Sequence, residues 1–370
     1  MSDTKEPATE LPRPVGSGLG AVVGQGIVMR ALRRAIERDR LPHALLFSGP
    51  QGVGKATTAL LLAQALNCRV AGPVDTCGEC VSCSKIGRGI HPDILWIAPM
   101  PRVIKVGQIT PRPNSPIPPA RTVTSFVGLA PYEGRKKVIV IRGAHAMNET
   151  AQNVLLKTLE EPPPSSILVL TTMAPGSLLP TVVSRCQTLR FSPVGQETVR
   201  EYLEQQMQLP AEEARLRAAL TPGSIGGALA LDLDAYGTLL ETVVGALRLS
   251  QHGGGGVVAA ADSLAGSGHG ETATQRAAST LRIGRDVLRD LLVVTSQAEG
   301  TDLVNSSQRE AWVAWARDLD SEGVIDALQA LNVGIERFTT GIQPNIKMAL
   351  EQTLIEVGSA LAGAGQRAAS

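Results

Sequence analysis

The segment Gly49-Pro50-Gln51-Gly52-Val53-Gly54-Lys55-Ala56 constrains the fold of this chain more than any other stretch. It follows a short apolar run, Ala44-Leu45-Leu46-Phe47, that reads as a buried strand. It precedes Ala56–Leu66, an Ala/Leu-rich stretch that reads as a helix. Strand, glycine-rich loop, lysine and helix together make the context in which backbone N–H groups turn inward around phosphate oxygens. The helix N-terminus adds partial positive charge and Lys55 a full one. The candidate binding residues are Gly49, Gly52, Gly54, Lys55, Ala56 and Thr57. The competing reading is a glycine-rich strand-to-helix turn with an incidental lysine.

One position departs from the pattern. Ala56 stands where a Ser or Thr hydroxyl would reach Mg2+. Thr57 is the next residue, but one step along a helix rotates a side chain by about 100°. Weakened metal–nucleotide binding is expected.

Further apolar, β-branched runs at Ile94–Ile97, Val138–Ile141 and Ile167–Leu170, with Gln187–Phe191, predict more strands of a parallel sheet. They alternate with helical stretches at Met29–Arg38 and Glu149–Leu159, the second stopped by Pro162-Pro163-Pro164. The prediction is an α/β domain with helices on both faces of the sheet. The proline-dense stretch between Pro99 and Ala120 cannot be a continuous helix or strand and is expected to be an exposed loop. Arg135-Lys136-Lys137 reads as a solvated edge. After Glu197 the strand signal fades. Val199–Gln206, Ala211–Leu220, Ile225 onward, Thr274–Val294, Glu310–Asp318 and Ile325–Ala360 are helical by composition, and Gly253–Gly256 reads as a hinge or loop.

Hydrolysis of a bound nucleotide needs an acid at the end of a neighbouring strand. The Val138–Ile141 strand runs into Arg142-Gly143-Ala144-His145, with no Asp or Glu; Glu133 precedes it and Glu149 lies well beyond. His145 could act as a base, but a lone histidine here reads first as a packing or hydrogen-bonding residue. The residues describe a nucleotide fold whose hydrolytic half has been lost.

Four of the five cysteines form the pattern Cys68-x8-Cys77-x2-Cys80-x2-Cys83, and Cys186 stands alone. The spacing has the density of a structural tetrathiolate zinc site, with Gly78 permitting a tight turn. Four free thiols or an iron–sulfur cluster are the competing readings. Catalytic zinc is disfavoured, because protein fills all four positions.

Composition closes off other classes. The net charge of +1 over 370 residues excludes a chain that holds nucleic acid by bulk electrostatics alone. Aromatics at 3% argue against a platform of stacked rings for single strands. No apolar run reaches the roughly 18–20 residues of a membrane helix, and Met1–Val15 is polar and proline-rich. A soluble, cytoplasmic protein with no membrane partner is expected.

Several longer matches carry a resemblance. They are Val22-Val23-Gly24-Gln25, Leu41-Pro42-His43-Ala44-Leu45-Leu46-Phe47, the phosphate loop, the cysteine spacing and His91-Pro92-Asp93. To these are added Leu129-Ala130-Pro131-Tyr132-Glu133-Gly134, the run from Asn153 through Leu159-Glu160-Glu161 to Pro163, and Leu179-Pro180-Thr181-Val182-Val183-Ser184-Arg185-Cys186. Together they resemble the bacterial DNA polymerase III clamp-loader family of AAA+ proteins. The clear match covers about Val22 to Leu229.

The resemblance implies an AAA+ P-loop core at 21–193 with an inserted zinc module at 68–83. It also implies a helical lid at 194–245 and an all-α collar at 246–370 for oligomerisation, behind a disordered tail at 1–20. Within the family, the missing acids at Arg142-Gly143, Ala56, and Gly226 in place of a phosphate-sensing arginine point to a delta-prime-like subunit rather than a gamma/tau-like ATPase. Arg185 is retained where the family carries an arginine finger that acts in trans on a neighbour's nucleotide; a surface or structural arginine is the alternative. Thr171 and Thr172 fall in the region of the family's polar sensor. The implied partners are the gamma/tau ATPase subunits, the delta subunit, the sliding clamp and primed DNA, within a DNA polymerase holoenzyme. The implied ligands are structural Zn2+ and, if the loop still binds nucleotide, ATP with Mg2+; the chain's own ATP hydrolysis is expected to be lost. The rival functions are a gamma/tau-like ATPase motor and a zinc-containing AAA+-like adaptor outside replication.

Overall fold

Ala44–Ser48 (β1), Ile94–Ile97 (β2), Lys137–Ile141 (β3), Ser166–Thr172 (β4) and Gln187–Arg190 (β5) form one parallel sheet in the order β2-β3-β4-β1-β5. The computed structural model describes residues 16–368 apart from 73–74, 101, 114, 269–271, 299–300 and 340–344. Each residue of β1, β3 and β4 is buried, as a sheet covered on both faces requires. Side chains alternate between two cores. Leu46, Ile139, Ile141, Leu168 and Leu170 pack on one face with Leu155 and Leu159. Leu45, Phe47, Val138, Val140 and Val169 pack on the other with Leu32, Leu60, Leu61 and Leu62. The register pairs Ser48 with Thr172 and with Arg190, and Ile141 with Leu170, so the strand ends that carry the candidate site are aligned.

The helices of this first unit are Gly26–Glu37 (α1), Lys55–Asn67 (α2), Val81–Gly87 (α3), Val106–Ile109 (α4), Val123–Val127 (α5), Glu149–Glu160 (α6) and Pro180–Val183 (α7). They are followed by Gln196–Met207 (α8), Ala211–Leu220 (α9) and Ile225–Ala230 (α10). Asn148 caps α6 by accepting from the Ala151 N–H, and the proline run beyond Glu161 prevents its continuation. Val199, Leu203, Ala214, Ala218 and Ala228 give α8–α10 a small core of their own.

The chain divides into two compact units, Met1–Ala230 and Leu231–Ser370. The second is all helical among the described residues: Leu233–Gln251 (α11), Gly255–Ala265 (α12), Ala273–Thr295 (α13), Arg309–Ala316 (α14), Ser321–Thr339 (α15) and Ile346–Ala368 (α16). Asp290, fully buried, accepts from the N–H groups of Val304 and Asn305 and pins that connection onto α13. None of the described helices is long and apolar enough to cross a membrane.

Several expectations change. The tail reading of 1–20 falls largely on residues outside those described, but Leu19 is 0% exposed and packs into the core. The proline-dense stretch is not wholly an exposed loop. Ile104 and Ile109 are fully buried, and Gln108 holds α4 in place by donating to the Ala98 carbonyl at 2.7 Å. Short apolar anchors between prolines carry too little periodicity to be read as core. Lys137 is buried rather than solvated, with its ammonium 3.8 Å from Asp93 and 4.0 Å from the Phe126 ring centroid. The helical reading of Ile325–Ala360 resolves into α15 and α16, with Gly341 and Pro344 lying between them in the sequence. Gly255 and Gly256 open α12 rather than a loop. The expected lid–collar boundary at 245/246 falls inside the continuous helix α11, whereas the unit boundary is at Ala230.

Candidate functional site

The loop between β1 and α2 adopts the turn its glycines allow, with φ of +74° at Gly52 and +98° at Gly54. Its lysine is turned inward. Lys55 Nζ donates to the carbonyl of Gly49 at 2.6 Å and also to that of Pro50. Burial lowers this ammonium to about 8. Ala56 and Thr57 occupy the first turn of α2 behind it. Gln25 braces the loop from the side: its Nε2 donates to the carbonyls of Val53 at 3.3 Å and Ser192 at 2.7 Å.

The Ser224–Gly227 segment rests on the loop. Gly226 N–H donates to the Gly52 carbonyl at 2.9 Å. A Cβ on Gly52 would collide with Ser224 Oγ, and one on Gly226 would meet Gly52 Cα at 3.0 Å. The backbones approach this closely only because both positions are glycine.

No carboxylate follows β3. Arg142 and Gly143 come next, and the Gly143 N–H donates to Thr171 Oγ1 at 3.3 Å. His145 Nδ1 lies 3.4 Å from Thr172 Oγ1, and its basicity is lowered by burial and then by the charge of Lys55. The ordinary magnesium ligands are missing here, since Ala56 offers no side-chain oxygen and Arg142-Gly143 directly follow β3 where an acid would hold the metal shell.

Arg185 follows α7 and its guanidinium is anchored twice. Nη1 donates to the Thr181 carbonyl at 3.1 Å, and Nη2 pairs with Glu160 Oε1 at 2.6 Å. Gln152 of α6 accepts from the Leu179 N–H at 2.7 Å, which fixes α7 against α6.

Cys68, Cys77, Cys80 and Cys83 bring their Sγ atoms within 4.8 Å of one another, with Cys68–Cys77 at 3.6 Å and Cys77–Cys83 at 4.0 Å. A tetrahedral ion with metal–sulfur bonds of about 2.3 Å separates its ligands by roughly 3.8 Å, so the cluster fits one metal ion. The N–H groups of Ala71, Cys80 and Cys83 point at Cys68, Cys77 and Cys80 Sγ respectively, at 3.3–3.5 Å. Burial works against ionisation of Cys68, but backbone N–H donors led by Ala71 overcome it and lower the thiol to about 6. Burial pushes Cys83 up.

A polar network ties this module to the sheet. Gln64 of α2 donates to the Cys83 carbonyl at 3.0 Å. His91 Nδ1 accepts from the Asp93 N–H at 3.1 Å, which leaves Nε2, also 3.1 Å from Ser82 Oγ, to carry the proton of the neutral ring. Asp93 accepts from the N–H groups of Tyr132, Glu133 and Gly134 at 2.7–2.8 Å. The sequence placed Asp93 in a motif without revealing this role, because its partners lie about forty residues away. Gln25 and Glu160 likewise stood in motifs that did not reveal which groups they hold. No local pattern marks a side chain whose partner is a distant backbone group.

Residues 24–195 match the family model described as DNA polymerase III, delta subunit, just under half of the chain. The chain is 40% identical over 194 residues to DNA polymerase III subunit delta' of Bacillus subtilis, covering 52% of this chain and 55% of that protein. It is 33% identical over 215 residues to subunit tau of Bacillus subtilis, covering 57% and 36%. Against subunit tau of Escherichia coli it is 35% identical over 215 residues, covering 57% and 32%. The chain thus spans about half the length of the delta' relative and about a third of the tau relatives. A gamma subunit-related protein of Thermotoga maritima superposes with a TM-score of 0.40 at 17% identity, over 89% of this chain and 98% of that one, too loosely to carry an argument. The sequence matches and the phosphate-loop sheet agree, and over residues 24–195 the chain is similar to the clamp-loader subunits of DNA polymerase III.

Proposed function

We propose that this chain is a delta-prime-type subunit of the DNA polymerase III clamp loader, one that completes a neighbour's nucleotide site and hydrolyses no ATP itself. The observation that carries this reading is the closed phosphate loop. Lys55 is satisfied by the loop's own carbonyls, and Gly226 stands on Gly52 where a phosphate-sensing arginine would need room. With Arg142-Gly143 after β3, neither a magnesium shell nor a water-orienting carboxylate is supplied.

Arg185 is the complementary half of the reading. It sits on the α6–α7 surface with its side chain 36% exposed. As an arginine finger it would stabilise the charge of phosphoryl transfer in a neighbouring ATPase subunit, a contribution on the order of 10³-fold or more. The four thiolates would hold one structural Zn2+, which crosslinks a segment too small to build a core of its own. The gamma/tau-type ATPase subunits and delta are the proposed partners, with the sliding clamp and primed DNA engaged through the assembly, in the cytoplasm.

The test of assembly is direct. The purified chain, mixed with gamma/tau-type ATPase and delta subunits, should elute as one complex whose mass includes a single copy of this chain. Failure to assemble would favour an adaptor outside replication.

A further inference from the structure

Arg185 does not extend from the surface. Nη1 reaches back to the Thr181 carbonyl, four residues earlier in its own chain, and Nη2 crosses to Glu160 on the neighbouring helix. A group that acts on another subunit must project away from its own, so both contacts have to break first.

Glu160 is well placed to hold such a group. It is the last residue of α6, followed at once by Glu161, so two carboxylates sit at the negative end of a helix dipole with only Lys157 as a cation in the last turn. That end of the helix favours a cation, and the Arg185 guanidinium supplies one at 2.6 Å. The pair is half exposed, at 36% and 48% of the two side chains. Exposed pairs of this kind are worth about 0.2–1 kcal/mol, enough to bias a conformation by about 1.4- to 5-fold and too little to block it. A triphosphate presents more negative charge than one carboxylate and can accept the guanidinium in place of it.

We propose that Glu160 is a latch in cis. It holds Arg185 folded against α6–α7 in the free chain and yields it to the phosphoryl oxygens of a neighbouring subunit's nucleotide on assembly. This rests on the reading of Arg185 as a trans finger, and Glu160 acts only by positioning it.

Two measurements on the full-length chain separate the latch from that reading. In the free chain, the rate at which an arginine-selective dicarbonyl reagent labels Arg185 is followed by mass spectrometry. Glu160→Gln should raise that rate about 1.4- to 5-fold without changing the labelling of other exposed arginines. Added salt should raise the wild-type rate and leave the variant unmoved. In the complex reconstituted with the partner ATPase, Glu160→Gln should raise kcat/KM for ATP by a similar factor, while Arg185→Ala lowers it. Glu160→Ala should repeat the gain, and circular dichroism should show each variant folded. Unchanged or slower labelling in Glu160→Gln overturns the latch while leaving the finger reading intact, as does a fall in kcat/KM when Arg185→Ala behaves as expected. Faster labelling together with an Arg185→Ala complex of normal activity overturns the finger reading, and the latch with it.

Discussion

The backbone N–H of Gly226 donates to the carbonyl of Gly52 at 2.9 Å, so the first turn of α10 stands directly on the phosphate loop. The same contact excludes side chains from both positions. Gly52 has φ +74°, and a Cβ there would strike Ser224 Oγ. Gly52→Ala should therefore cost about 2–4 kcal/mol, the sum of left-handed strain and the collision. Urea unfolding measures it. The double variant Gly52→Ala, Ser224→Gly should recover only the part of the cost due to the Ser224 side chain, keeping the strain and the 2.9 Å approach to the Gly227 backbone nitrogen.

Lys55 gives a pH signature. Its folded value is depressed to about 8 from 10.5. Below about 8 both states carry the proton and the folded chain bears the whole cost of the buried charge. Between about 8 and 10.5 the unfolded chain binds more protons, so this residue's contribution to stability rises with pH. The unfolding free energy of the wild type relative to Lys55→Met should climb across that window. Parallel pH curves for the two proteins would contradict it.

Asp93 anchors the segment before β3. Burial alone would raise its carboxyl, but the N–H groups of Tyr132, Gly134 and Glu133, with Lys137, outweigh burial and hold it below the usual carboxylate range. Asp93→Asn leaves Lys137, 4% exposed, without its counter-charge, and should cost about 3–5 kcal/mol. The stabilisation from ionised Asp93 is fully present above its unfolded value and is lost as pH falls through the depressed folded value. The gap between wild type and Asp93→Asn should therefore narrow in acid. A constant gap down to acid unfolding would show that the charge contributes nothing.

The cysteine cluster predicts one zinc per chain by elemental analysis. Chelation should release it and expose four thiols to a thiol reagent, while Cys186, buried and pushed up to about 11, should stay unreactive in the native protein. Cys80→Ser should lower zinc occupancy and loosen α3. Full occupancy in that variant would mean that Cys80 is not a ligand.

All five strands of the sheet were legible in the sequence. β1 to β4 are short, dense apolar or β-branched runs, and burial on both faces of β1, β3 and β4 leaves that pattern little freedom, while β5 is a polar, partly exposed edge strand. The phosphate loop and the four cysteines were legible because their chemistry is local in sequence. Ile104 and Ile109 were not, because isolated apolar residues among prolines show no period. Lys137 was misread because its compensating Asp93 lies over forty residues away, so the charge run looked solvated. The closure of the loop by Ser224–Gly227 was partly visible as the replacement of an arginine by Gly226. The backbone hydrogen bond that replaces it belongs to tertiary structure and leaves no residue pattern.

The central claim is that this chain completes another subunit's chemistry and performs none of its own. ATP turnover should be measured on the purified chain alone, with Mg2+ and with Lys55→Ala as control, and then on the complex with its partner ATPase, wild type against Arg185→Ala. The expected result is no turnover by the chain alone and hydrolysis by the partner slowed on the order of 10³-fold at the shared site by Arg185→Ala. Lysine-dependent turnover by the chain alone would contradict the claim and make this a motor subunit.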